Sequence, residues 1–167
     1  LVISNHDNLR NLVEQYGIKY HHLPVSAENR EFQEEEISLL LKNQNIDIVV
    51  LARYMQILSP KIVQQYKGRV INIHHAFLPA FKGDRAYQKA WVRGVKMIGA
   101  TAHYVTEALD EGPIIEQDVE SVTHQYSVKE MIQTGRDIER RVLTAAVKAH
   151  LQHRILLHGQ RTLIFHS

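Results

Sequence analysis

Ile46-Asp47-Ile48-Val49-Val50-Leu51-Ala52 is an apolar run rich in β-branched residues, the pattern of a strand buried within a parallel sheet. The chain around it alternates in kind. Upstream, Leu1-Val2-Ile3-Ser4 reads as a strand, a helix follows to about residue 16, residues 18–22 return as a strand and 29–43 as a helix. Downstream, Ser59-Pro60 supplies an N-cap and a first-turn proline for a short helix that Gly68 ends. Residues 70–74 form the next strand, 85–94 a helix closed by glycine, and 97–106 another strand. Residues 113–122 are extended, with β-branched Ile114, Ile115, Val119 and Val122, and pass back along the sheet. Ser127-Val128-Lys129-Glu130 has capping-box spacing and opens the longest helix, to about residue 150, with Met131, Ile138, Val142 and Ala146 in its apolar stripe. Residues 155–157 and 162–165 read as a hairpin about His158-Gly159-Gln160-Arg161. Strands alternating with helices predict an α/β, three-layer, Rossmann-like fold with a mostly parallel sheet and a C-terminal hairpin. Ligands of such folds bind beyond the carboxyl ends of the strands.

Composition narrows the classes of function. A chain of 167 residues fits one domain with a core of its own. It contains no Cys, which excludes a disulfide framework, a thiolate metal site and a cysteine nucleophile, and fits a reducing cytoplasm. No apolar run approaches the roughly 20 residues of a membrane span. The formal charge of +2 does not argue for nucleic acid, although Lys82, Arg85, Lys89, Arg93 and Lys96 make a basic stretch. That stretch is either a solvated helix face or an attraction for an anionic substrate. There is no GxGxxG or P-loop lysine motif.

Two blocks carry chemistry. In Val70-Ile71-Asn72-Ile73-His74-His75 the side chains alternate, so Asn72 and His74 share one face of the strand. An Asn carboxamide can donate to a carbonyl oxygen that is becoming an oxyanion, and an imidazole can move a proton near neutral pH. Those are roles in acyl transfer or acyl hydrolysis. Asp110 stands before Glu111-Gly112-Pro113, a turn-forming run, so its carboxylate is held on a tight loop and can orient His74 and a water. Taken singly, each of the three reads as a cap, a satisfied core histidine or a turn acid. Together they read as a site.

On these residues the chain resembles the formyltetrahydrofolate deformylases, within the wider folate-dependent formyltransferase group. The pattern of that group is carried at Asn72, His74, Leu78, Pro79, His103, Val105, Thr106, Leu109, Asp110, Gly112 and Pro113. The doubled His74-His75 and the run Gly99-Ala100-Thr101-Ala102-His103-Tyr104 look like the deformylase branch, since glycinamide ribonucleotide transformylases typically have proline after the motif histidine. The resemblance implies a formyltransferase fold over residues 1–167 and catalysis by Asn72, His74 and Asp110. It implies a folate pocket lined by Met55, Ile57 and Leu58 with His103, Val105, Thr106 and Glu107. It also implies hydrolysis of 10-formyltetrahydrofolate to tetrahydrofolate and formate, in one-carbon and purine metabolism. Folate enters as substrate, with no metal or redox cofactor, no nucleic acid or membrane partner, and a cytoplasmic homo-oligomer. The alternatives are transfer of the formyl group to an amine, such as glycinamide ribonucleotide or an amino sugar, and a folate-binding fragment without activity. Deformylases ordinarily carry an ACT-type domain, then a strand and a helix, ahead of the segment matched here, so the sheet is expected to lack an element beside its first strand.

Other constellations are weaker. The adjacent pairs His21-His22 and His74-His75 should diverge on an extended chain, which disfavours two ligands to one ion, and there is no HExxH. His103 either faces the site beside Asp110 or is packed. Without the resemblance, Met55, Ile57 and Leu58 would read as core. Tyr87 and Trp91, four apart on a helix, either pack or narrow the catalytic mouth.

Overall fold

Val2–Ser4 (β1) and Tyr20–His22 (β2) pair in parallel with Val2 opposite Tyr20, and Arg10–Glu14 (α1) lies in the crossover that a parallel pair requires. Arg30–Asn43 (α2) follows, its buried Gln33 amide donating to the Leu23 carbonyl at 2.5 Å. The structure, a computed structural model, describes residues 1–26, 28–76 and 86–165, and the chain divides into two compact units after Ile46. Leu78, Pro79, Lys82 and Arg85, singled out in the sequence, lie outside the described residues.

In the second unit Val49–Leu51 (β3) pairs in parallel with Val70–His74 (β4), and Pro60–Gln65 (α3) stands between them in sequence. Ala86–Arg93 (α4) precedes Met97–Tyr104 (β5), which runs antiparallel to β4; Ile114–Ser121 (β6) runs antiparallel to β5. The sheet order is β3-β4-β5-β6. The connection from Tyr104 to Ile114 is too short for a crossover helix, so β6 returns beside β5. Val128–Leu151 (α5) and the hairpin Ile155–His158 (β7) with Arg161–Ile164 (β8) complete the unit. The α/β class and the terminal hairpin expected from the sequence are both present.

β3 is shorter than the apolar run suggested. Ile46 donates its N–H to the Leu41 carbonyl at 3.0 Å and Asn45 stands at φ 49, so the C-terminus of α2 takes these residues for its own capping. Val50, on β3 at the edge of its sheet, is exposed.

The two faces of the sheet differ, and period-two alternation explains why. Ile71 and Ile73 on β4 stand opposite Tyr104 and Ala102 on β5, and these residues join Ile98 and Ala100 in the core. α5 covers that face with Met131, Ile138, Val142 and Ala146, and the small side chains of Ala100 and Ala102 leave room for it. The Ser127 hydroxyl accepts from the Glu130 N–H while the Glu130 carboxylate accepts from the Ser127 N–H, the reciprocal cap the spacing predicted. Ile138 is fully buried at the centre of this stripe, so Ile138→Ala is expected to cost about 2–5 kcal/mol in urea unfolding. The other face of β4 and β5 carries Asn72, His74, Thr101 and His103, with Asn72 opposite His103 and His74 opposite Thr101. Among the described residues no helix is long and apolar enough to cross a membrane.

Candidate active site

Four polar side chains meet on that second face. His74 Nδ1 stands 3.3 Å from Asp110 Oδ2, and His103 Nε2 stands 3.6 Å from Asp110 Oδ1. Asn72 Nδ2 lies 3.4 Å from His103 Nε2. His103 is 2% exposed and His74 7% exposed, so solvent screens these contacts weakly.

The hydrogen bonds fix what each nitrogen can do. His103 Nδ1 is 2.9 Å from the Tyr104 carbonyl, and a carbonyl oxygen only accepts, so Nδ1 carries the hydrogen. In the neutral ring Nε2 then accepts one N–H of the Asn72 amide, which leaves the second amide N–H free to serve another acceptor. By the same logic His74 directs Nδ1–H at the Asp110 carboxylate, and its Nε2 is left as a lone pair. That nitrogen is buried with no hydrogen-bond partner among the described residues. Burial holds the His74 imidazole below its ordinary value; the Asp110 carboxylate opposes that shift, and His75 and His103 add to it. His74 is therefore neutral and able to accept a proton at neutral pH.

His74 takes up its proton less readily folded than unfolded, so stability is complete above the ordinary imidazole value of 6.5 and falls as pH drops below it. His150, lowered by burial and then by His153 and Arg69, adds a loss of the same sign. Melting temperatures between roughly pH 5 and 8 are expected to fall on the acid side, and less steeply in His74→Gln. Equal slopes in the two proteins would contradict this assignment.

Asp110 reaches the site on a loop closed at both ends. Val105 donates to the Val70 carbonyl at 2.9 Å, and Tyr104 donates to the Pro113 carbonyl at 2.9 Å. β5 runs antiparallel to β4, so its carboxyl end lies at the opposite edge from that of β4, and the loop folds back over the sheet to bring Asp110 to His74. Asp110 adopts φ +56, a left-handed backbone that Asp tolerates better than most residues. Gly112 makes the fold-back possible: a Cβ there would stand 1.7 Å from the Tyr104 carbonyl oxygen and 3.3 Å from His103 Nδ1. Gly112→Ala is expected to destabilise the protein by about 1–3 kcal/mol and to remove most activity, because the loop must leave Tyr104 and carry Asp110 with it. Thermal melts and turnover measured on one preparation check both halves.

Segment 52–59 follows β3, which is parallel to β4 with Leu51 opposite Asn72, so it leaves the sheet at the end where β4 finishes with His74. Met55 and Ile57 on it are 71% and 55% exposed, whereas Leu58, at 8%, is buried. Val105 is half-buried at the start of the Asp110 loop. Thr106 and Glu107 are exposed, Thr106 donating to the Ala108 carbonyl and Glu107 accepting from the Gln64 amide at 2.9 Å. His103, ambiguous in sequence, belongs to the polar cluster. His74 and His75 do not diverge: the strand ends at His74, the chain bends, and the two rings stack at 5.0 Å with 17° between their planes. Sequence reasoning missed the contact of His75 with Tyr87 and the bond from Gln117 to Thr101, since both depend on packing between distant segments. Among the described residues no three His, Asp or Glu side chains are arranged to hold a metal ion.

Comparison with known proteins identifies the family. Residues 1–147 match the formyl transferase family. A formyltetrahydrofolate deformylase of Synechocystis is 54% identical over 165 residues, covering 99% of this chain and 58% of its own length. The crystal structure of a formyltetrahydrofolate deformylase from Pseudomonas syringae superposes with a TM-score of 0.95 at 52% identity, over 99% of this chain and 55% of that one. A phosphoribosylglycinamide formyltransferase from Anaplasma phagocytophilum superposes at 0.88 with 33% identity, over 99% of this chain and 81% of that one. The chain spans a little over half the length of each of these deformylases. Asn72, His74 and Asp110 all fall within the matched residues, and the chain belongs to the formyl transferase family.

Proposed function

We propose that this chain hydrolyses 10-formyltetrahydrofolate to tetrahydrofolate and formate. The observation that carries the reading is the buried Nε2 of His74, without a hydrogen-bond partner among the described residues, backed by Asp110 and two strand positions beyond the Asn72 amide on the same face. Water held at Nε2 gives its proton to His74 as its oxygen bonds to the formyl carbon. The carbonyl electrons move onto oxygen, where the free N–H of Asn72 donates to the oxyanion. When the oxyanion re-forms the C=O bond, the C–N10 bond breaks with its electron pair staying on N10, and the proton held at His74 Nε2 passes to N10. Asp110 keeps Nδ1–H of His74 in place throughout, so Nε2 stays aimed at the reacting water.

Identities of 54% and 52% to proteins named as deformylases, against 33% to a phosphoribosylglycinamide formyltransferase, support water as the acceptor. Exposed Met55 and Ile57 supply apolar surface for the pteridine and benzoyl rings. The Cys-free chain supports a place in the cytoplasm. Free formate measured with and without glycinamide ribonucleotide or amino sugars tests the reading. Formate is expected at full rate without any amine; turnover that requires an amine would promote the transferase alternative.

A further inference from the structure

Tyr87, on α4, sits between the catalytic strand and the long helix. Its ring centroid is 6.2 Å from that of His75 at a 50° tilt, within the range of favourable aromatic pairs, and His75 in turn stacks on His74. The far side of the ring fills a notch in α5. A Cβ at Gly135 would lie 2.2 Å from Tyr87 Cζ and from its hydroxyl oxygen, so the ring takes that seat only because position 135 has no side chain. The Tyr87 hydroxyl donates to Glu139 Oε1 at 2.7 Å, one helical turn beyond Gly135. A helix-interior glycine costs roughly 1 kcal/mol relative to alanine, and this one stands at the point where a ring must pass to reach a histidine pair.

We propose that Tyr87 is a positioning residue for the hydrolysis assigned above: seated in the Gly135 notch and fastened to Glu139, it braces His75 and, through that stack, the His74 ring. The inference rests on that assignment for its reaction but not for its geometry. Asp110 fixes one edge of the His74 imidazole; His75, stacked on it and backed by the tilted Tyr87 ring, fixes its plane and shields that face from water. The groups that set the titration of His74 are Asp110 on the 105–112 loop, His103 on β5 and the neighbouring His75. Those facing Tyr87 are Glu139 and Arg136 on α5 and Arg53 after β3. No variant below changes any of them.

Tyr87→Ala, Tyr87→Phe and Gly135→Ala are compared by kcat, KM and the NMR titration of the His74 ring. Tyr87→Ala is expected to lower kcat about tenfold, as a misaimed base does. It should leave KM within about twofold. His74 should titrate closer to the ordinary imidazole value as water reaches its face. Tyr87→Phe keeps the ring against His75 and in the notch, so it is expected to recover most of the turnover. Gly135→Ala keeps the tyrosine but takes its seat, and is expected to resemble Tyr87→Ala. Wild-type kcat and wild-type His74 titration in both Tyr87→Ala and Gly135→Ala would overturn the brace, as would a Tyr87→Phe variant as impaired as Tyr87→Ala. If Tyr87→Ala does not fold, the other two variants decide. A wild-type protein that releases no formate would sink the hydrolysis reading alone, because the His74 titration still tests the brace.

Discussion

Asp110→Asn is expected to lower turnover by roughly 10³-fold or more while leaving the fold intact. Asn is at home in the left-handed region, and Asp110 stands at φ +56, so the loop keeps its shape. What changes is the partner of His74. An amide can turn its NH₂ toward Nδ1, which then accepts instead of donating, and the ring's hydrogen moves to Nε2. The nitrogen facing the water would then be a donor and no longer a base. Unchanged melting temperature with turnover lost is the expected pair of results; turnover retained would show that Asp110 does not set the state of His74.

Asn72→Ala is expected to lower kcat by about 100-fold, the effect of deleting one oxyanion donor, with KM for the folate nearly unchanged. It should also lower stability by about 1–3 kcal/mol, because His103 Nε2, buried on β5, loses the amide that donates to it. The two losses have different origins. Kinetics at saturating substrate and a denaturant titration separate them. A variant that raised KM and spared kcat would assign Asn72 to ground-state binding.

Much of this was legible in the chain because it depends on local periodicity. β4 occupies the residues its alternation predicted, Val70–His74, and that alternation alone puts Asn72 and His74 on one face. The cap of α5 and its buried stripe follow from Ser127-Val128-Lys129-Glu130 and from apolar spacing. Register between strands was not legible. His103 stands opposite Asn72 because β5 runs antiparallel to β4, and no pattern within either strand states which residues will face each other. Gly112 reads from sequence as one more turn glycine, and its role appears only when the loop lies against the Tyr104 carbonyl. Similarly, residues 46–52 have strand chemistry, but the C-terminus of α2 takes Asn45 and Ile46 first.

The fate of the formyl group in ¹⁸O-labelled water, with a candidate amine present, tests most directly whether water is the acceptor. Attack by water at His74 is expected to place a single solvent oxygen in each formate released and to leave the amine unformylated. Formyl recovered on the amine, with no labelled formate, would contradict hydrolysis and assign the site to transfer.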